Sequence, residues 1–109
     1  MAVGRVRDRR TFEALRRSRA RGRSGPVTVI TVQEPTASEA RVAFAIGTNV
    51  GGAVVRNRLR RRLRAAAAEL ALPPGAYLLR VGPDARSLPA AALRAHFEQA
   101  ARAALEATP

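Results

Sequence analysis

The chain of 109 residues has no cysteine, no tryptophan and no lysine, and only one histidine. Without cysteine there is neither a disulfide framework nor a thiolate metal site. No run of about 18 apolar residues occurs, so the sequence predicts no bilayer-spanning helix. The basic stretch from Met1 to Arg10 has no apolar segment behind it and so does not read as a secretory signal; the expected setting is soluble and cytoplasmic. Aromatic residues are only 4% of the chain, too few for a base-stacking platform of the RNA-recognition-motif type. Acids are equally sparse. The eight (Asp8, Glu13, Glu34, Glu39, Glu69, Asp84, Glu98, Glu106) are scattered, whereas a protein nuclease working through two metal ions needs its carboxylates clustered. The sequence therefore offers no catalytic residue and no metal-ligand set of its own. His96, beside Phe97 near the C-terminus, reads as a rim or surface histidine rather than a general base.

Against these absences stand 20 basic residues, every one an arginine, and a net charge of +12. A GC-rich coding sequence would account for arginine in place of lysine, but not for the size of the excess. So large a charge on one small domain points to a polyanionic partner, nucleic acid or an anionic membrane. Arginine suits phosphate, because its planar fork of donors stays charged at any relevant pH.

The length fits one domain over residues 1–109, with residues 1–7 and 107–109 expected to be flexible. Asp8 is positioned to cap a short helix that carries Phe12 and Leu15 and ends near Ser18. Arg19 to Pro26, broken by Gly22, Gly25 and Pro26, reads as a basic loop. Val27 to Val32 is β-branched and reads as a strand. Arg41 to Ile46 alternates Val42, Phe44 and Ile46 with small residues, which predicts a second strand forming a hairpin with the first. After a glycine-marked bend, a long helix is predicted from Ala53 to Leu70, ending before Pro73-Pro74-Gly75. Ala76 to Val81 is a further strand and Gly82 to Arg86 a turn. Ser87 is placed to cap a last helix with Pro89 in its first turn, its buried face marked by Leu93, Phe97, Ala101 and Leu105. The order is αββαβα, or αβββαβα if one more short strand forms, which is an α+β fold of two-layer α-β sandwich type.

The long helix carries the functional reading. At about 100° per residue, Val55, Leu59, Leu63, Ala66 and Leu70 fall within an arc of roughly 80° and form a buried stripe. Arg56, Asn57, Arg58, Arg60, Arg61 and Arg64 spread over the rest of the circumference, centred almost opposite. Solvated helix faces usually mix signs and use i,i+4 acid–base pairs; this one has six arginines between Arg56 and Arg64 and no acid before Glu69. Leu59 and Leu63 are needed to close a core with few other large side chains, so the apolar stripe cannot also enter lipid. Nucleic acid is thus favoured over membrane. The element order is not helix-turn-helix and zinc ligands are absent, which favours RNA over DNA, with phosphate contacts dominating. Composition leaves open whether the chain belongs to an enzyme or is a non-enzymatic RNA-binding module.

The stretch Val50-Gly51-Gly52-Ala53-Val54-Val55-Arg56-Asn57-Arg58-Leu59-Arg60-Arg61-Arg62-Leu63-Arg64 resembles the signature of the bacterial ribonuclease P protein family. The likeness extends from about Arg9 to Leu105. It includes the phenylalanine of the first helix (Phe12), the strand Arg41-Val42-Ala43-Phe44 and the Pro74-Gly75 pair before an apolar strand. The resemblance implies a subunit of ribonuclease P, which hydrolyses one phosphodiester of precursor tRNA to remove its 5′ leader and broadens the substrate range of the ribozyme. It implies that a large RNA subunit does the chemistry with Mg2+ ions, and that this chain, itself monomeric, holds neither catalytic residues nor a cofactor. The RNA subunit would bind Arg56, Asn57, Arg58, Arg60, Arg61 and Arg64, and the single-stranded leader would bind Phe12, Arg16, Thr28 and Ile30. A left-handed βαβ crossover, an exception to the usual hand, is also implied. The chain departs from the family pattern at Thr48-Asn49, where a basic pair is usual, at Gly52, where a polar or basic residue is common, and at Arg16, where an aromatic is often found.

Overall fold

A computed structural model describes residues 3–34 and 36–108. The described residues form β1 (Gly4–Arg5), α1 (Arg9–Arg17), β2 (Arg21–Ser24), β3 (Val27–Gln33), β4 (Ala40–Ile46), α2 (Ala53–Leu70), β5 (Gly75–Val81) and α3 (Ala90–Glu106), with a 3₁₀ turn at Pro83–Ser87. From α1 onward this is the αβββαβα order of an α+β fold. Met1, Ala2 and Pro109, in the ends expected to be flexible, and Pro35, between the strands predicted at residues 27–32 and 41–46, lie outside the described residues.

The strands make one sheet in the order β1-β4-β5-β3-β2. The hairpin predicted between β3 and β4 does not form. β5 lies between them, antiparallel to β3 and parallel to β4, with Val81 opposite both Val27 and Ile46. The cause is visible in β5 itself: every residue of Gly75–Val81 except Arg80 is buried. A strand apolar on both faces needs a paired neighbour on each side and a layer on each face, so it takes the centre of the sheet. Tyr77, Leu79 and Val81 join Val42, Ile46, Leu59, Leu63, Leu93 and Phe97 in the larger core, under α2 and α3. Leu78 and Ala76 join Ile30, Ala43, Val6 and Leu15 in a smaller core on the opposite face, under α1. The two-layer expectation is thus extended by a partial third layer. On α2 the buried stripe is Leu59, Leu63 and Ala66 with Ala67 added, while Val55 and Leu70 are half-buried at its ends.

The actual hairpin is β2–β3, turning at Gly25 (φ 55°). Residues 21–24, predicted as loop, are an edge strand whose sequence Arg-Gly-Arg-Ser has no apolar alternation to betray it. Likewise Gly4–Arg5, in the stretch expected to be flexible, pair in parallel with Arg41–Val42, and Val6 is buried. Ser87 does not cap α3. The helix begins after Pro89, and Ser87 closes the preceding 3₁₀ turn by donating from its hydroxyl to the carbonyl of Asp84.

The predicted cap of α1 is present. The Asp8 carboxylate accepts from the Thr11 N–H at 3.0 Å and from the Thr11 hydroxyl at 2.7 Å. The Thr11 side-chain hydrogen bond, followed by the Thr11 backbone one, holds the Asp8 carboxyl below its ordinary value of 3.8. Because the folded-state value is depressed, this contribution is present above the unfolded carboxyl's range and is lost as pH falls through the folded one. Asp8→Asn is expected to remove that part of the acid sensitivity. It can be followed as the dependence of the unfolding midpoint on pH between about 5 and 2.

Tyr77, the only tyrosine, is fully buried, and its hydroxyl donates to the Pro73 carbonyl at 2.6 Å. Burial pushes its pKa up to about 12. The neutral phenol is the form the fold accepts, so its stabilising effect is intact below pH 10 and is lost as pH rises from about 10 toward 12. With no tryptophan to interfere, absorbance at the tyrosinate band should show no titration at pH 10 to 11 in the folded protein. An ordinary midpoint near 10 would contradict the buried placement.

Candidate nucleic-acid interface

α2 lies on the sheet through Leu59 and Leu63 and turns its arginines outward and sideways. Asn57, Arg60, Arg61 and Arg64 share the face opposite the apolar stripe and, with Arg5 and Phe44, line a slot of ≈ 380 Å³ between α2, β4 and β1. Arg60 donates to the Asn57 side-chain oxygen at 3.1 Å, which fixes the Asn57 amide. The Arg64 guanidinium lies over the Phe44 ring, 5.3 Å from its centroid. Desolvation, and then the nearby Arg5 charge, lower the pKa of Arg64. Arg58, on the other flank, donates to the Arg86 carbonyl at 3.2 Å. The Nε atoms of Arg56 and Arg58 are buried without a hydrogen-bond partner. The helix carries all six residues predicted for RNA-subunit binding, but only Asn57, Arg60, Arg61 and Arg64 come together in the slot; Arg58 lies on the other flank.

Among the described residues no carboxylate lies within ion-pair distance of any α2 arginine. The ion pairs that form are Arg41 with Glu34 (2.7 Å) and Asp8 (3.3 Å), Arg9 with Glu13 (3.5 Å), and Arg94 with Glu69. Glu69, the only acid of α2, is drawn to α3. The positive face is therefore uncompensated, and the like charges at Arg56, Arg60 and Arg64 oppose one another along the helix.

The predicted leader residues separate. Phe12, half-buried, and Arg16, exposed, line one shallow groove with Arg7, Arg9 and Glu13 along the outer side of α1. Thr28 lies elsewhere, on the sheet beyond the end of α1, where it faces Arg23 on one side and Arg80 on the other across the strands. These three line an open groove of ≈ 480 Å³ with Ala45, Asn49 and Asp84. Ile30 is a correction. It is fully buried beneath α1 with Leu15 and Leu78 and cannot touch a ligand, because the helix covers its row of the sheet, while Thr28, two residues away on the same face, stays half-exposed.

Arg5 and Phe44 in the slot, and Arg23 and Arg80 in the groove on the sheet, are lining residues that the sequence did not single out. Arg80 alone carried a signal: a single charge inside the apolar strand Ala-Tyr-Leu-Leu-Arg-Val marks the place where the covering layer stops. The Ser24 hydroxyl donates to the Gln99 side-chain oxygen at 2.8 Å and, its one proton so used, accepts from the His96 Nδ1–H at 2.8 Å, tying β2 to α3. Among the described residues no three His, Asp or Glu side chains gather in a way that could hold a metal ion, and no helix is long and apolar enough to cross a membrane. Thr48 and Asn49, in place of a basic pair, are exposed. Gly52 caps α2 without a side chain, although a Cβ there would meet nothing within 4 Å.

A basic helix lying on a mixed sheet, its arginines without an acid partner among the described residues, defines a basic α+β domain of the kind that suits a polyanionic partner. The family model described as Ribonuclease P matches residues 2–105. The chain is 45% identical over 103 residues to the ribonuclease P protein component of a Nocardioides species, covering 90% of this chain and 88% of that one. It is 42% identical over 105 residues to that of Acidothermus cellulolyticus, covering 93% and 84%. In fold it is similar to the Staphylococcus aureus RNase P protein, in a mutant with defective mRNA degradation activity (TM-score 0.83, 14% identity, 93% of this chain and 87% of that one). It is also similar in fold to the RNase P protein from Thermotoga maritima (TM-score 0.71, 15% identity, 85% and 90%). The chain belongs to the ribonuclease P protein family.

Proposed function

We propose that this chain works as the protein subunit of ribonuclease P by assembling with the catalytic RNA through α2 and gripping the 5′ leader of precursor tRNA. As a member of this family it is a tRNA-processing subunit of an endoribonuclease whose catalytic RNA is the other subunit. The observation that carries the α2 assignment is the face of Arg56, Asn57, Arg58, Arg60, Arg61 and Arg64 with no acid paired to it. A folded RNA presents phosphates at helical spacing, and releasing their counterions drives such an association. The Mg2+ ions that the chemistry uses belong with the RNA and the substrate phosphate. The protein acts as one copy in the cytoplasm, where precursor tRNA is made.

For the leader, the support is a pair of basic grooves flanking α1. Phe12 offers an aromatic edge with Arg16 beside it. Thr28 offers a hydroxyl between Arg23 and Arg80 on the sheet beyond. A single strand laid across them meets an apolar contact and then paired cations, the combination that holds unpaired nucleotides without strict sequence preference. The test is the preference of the assembled enzyme for leader-bearing over mature tRNA. Phe12→Ala is expected to lower that preference by about 5- to 150-fold, the worth of one base contact. Arg80→Ala should cut the salt slope of leader binding by about 0.7. Unchanged preference in both variants would remove the leader from this surface while leaving the α2 assignment standing.

A further inference from the structure

The slot between β1, β4 and α2 has features that a merely cationic face lacks. Its floor is Phe44, half-buried at the margin of the main core. Over that ring lies the Arg64 guanidinium, 5.3 Å from the centroid. The planar Arg64 guanidinium is therefore placed between the aromatic ring and the slot that both residues line. Among the described residues its planar group has no carboxylate partner, and the like charge of Arg5 bears on it. Arg5 reaches this place only because Gly4–Arg5 pair with Arg41–Val42 at the edge of the sheet. Asn57, its amide fixed by Arg60, supplies a donor and an acceptor at the same mouth. The lining is mixed: an aromatic ring and arginine stems inside, guanidinium groups at the rim.

A flat cation backed by an aromatic ring, open on one face and crowded by a second cation, is poorly satisfied by water. A ligand that combined a planar π-face with an anionic group would complete it. Unpaired nucleobases stack on arginine planes, their phosphates pair with neighbouring arginines, and their edges are read by side-chain amides. Resting on the reading of α2 as the RNA-subunit face, we infer that this slot is a nucleotide-binding site. In it one unpaired base of the RNA subunit stacks on Arg64 as the outer layer of a Phe44–Arg64–base sandwich. Its phosphate lies against Arg5 and Arg61, and its edge meets Asn57. The ring of Phe44 pre-sets Arg64, so less side-chain freedom is lost on binding. The short β1 strand thereby becomes part of the RNA interface and not just a sheet margin.

The experiment measures binding of the full chain to bacterial ribonuclease P RNA as a function of salt, for the wild type, Arg64→Lys, Phe44→Leu and Arg61→Ala, with thermal unfolding as a check on each fold. Arg64→Lys keeps the charge and loses the plane; Phe44→Leu keeps apolar volume and loses the ring. Both are expected to weaken binding by about 5- to 150-fold with the salt slope unchanged, because a stack and not a phosphate contact is lost. Arg61→Ala is expected to reduce the slope by about 0.7 to 0.9. If Arg61→Ala reduces the slope but folded Phe44→Leu binds as the wild type does, the slot grips phosphate only and the stacking inference is overturned. If none of the three variants changes affinity or slope, the reading of α2 as the RNA face fails with it.

Discussion

Replacing Arg56, Arg58 and Arg61 together with alanine is expected to weaken binding to ribonuclease P RNA and flatten its salt dependence, while leaving the fold as stable as before or slightly more so. Each phosphate contact contributes about 0.7 to 0.9 to the slope of log affinity against log salt, so three contacts amount to about 2 to 2.7. The wild type's advantage over the triple variant should then shrink roughly 20- to 40-fold between 50 and 200 mM salt. Stability moves the other way for a physical reason. Arg56 and Arg60 repel at i,i+4, with no acid among the described residues in reach of either. Such a pair costs about 0.2–0.5 kcal/mol, and alanine is the best helix former. Arg58 gives up only a hydrogen bond to the exposed Arg86 carbonyl. Residues that destabilise their own helix but strengthen binding are there for the ligand; residues kept for the fold would show both effects falling together. Fluorescence anisotropy with labelled RNA at several salt concentrations, and thermal unfolding of the same samples, read the two quantities.

The largest effect on stability is expected at Gly22, where β2 passes against α3. A Cβ at this position would stand 2.2 Å from the Ala100 carbonyl oxygen and 2.5 Å from the Ala104 nitrogen. Both are backbone atoms of α3, so relief requires moving the whole helix, which is locked to the core by Leu93, Phe97, Ala100, Ala101 and Ala104. Overpacking of this kind costs about 1–3 kcal/mol and more where the neighbour is rigid. Gly22→Ala should therefore lose about 3 kcal/mol or more in urea unfolding, comparable to emptying a core position such as Leu63→Ala at about 2–5 kcal/mol. Gly52→Ala is the contrast: its Cβ would meet nothing within 4 Å, and the change should stay under about 1 kcal/mol. Equal effects at the two glycines would contradict the close approach of β2 and α3.

How much of this was legible follows the length of the pattern. α2 and α3 run 18 and 17 residues, long enough for the helical period to identify each helix and its buried face. β3, β4 and β5 were visible as strands, but their pairing was not. Alternation records which face of a strand is covered, not which strand lies beside it, so the adjacent β3 and β4 looked like a hairpin until β5 claimed the centre. β1 and β2 were invisible. Gly4–Arg5 is two residues long, and in Arg21–Ser24 a glycine stands where an apolar residue would mark the inner face. The site divides the same way. The α2 arginines announced themselves by their number and the lack of acids among them. Arg5 and Phe44 come to line the slot only because the sheet edge and the helix meet there. Ile30 and Thr28 lie two residues apart on the same face of β3, yet α1 covers one and leaves the other open, a distinction that depends on where a neighbouring helix stops.

The central claim is that the chain is the protein half of an enzyme whose catalyst is RNA. Cleavage of a precursor tRNA at low magnesium tests it most directly, with bacterial ribonuclease P RNA alone, the protein alone and the two together. The account predicts cleavage at the mature 5′ end only in the mixture, and its loss when the α2 arginines are removed. Cleavage by the protein alone, or an RNA activity that the bound protein leaves unchanged, would contradict it.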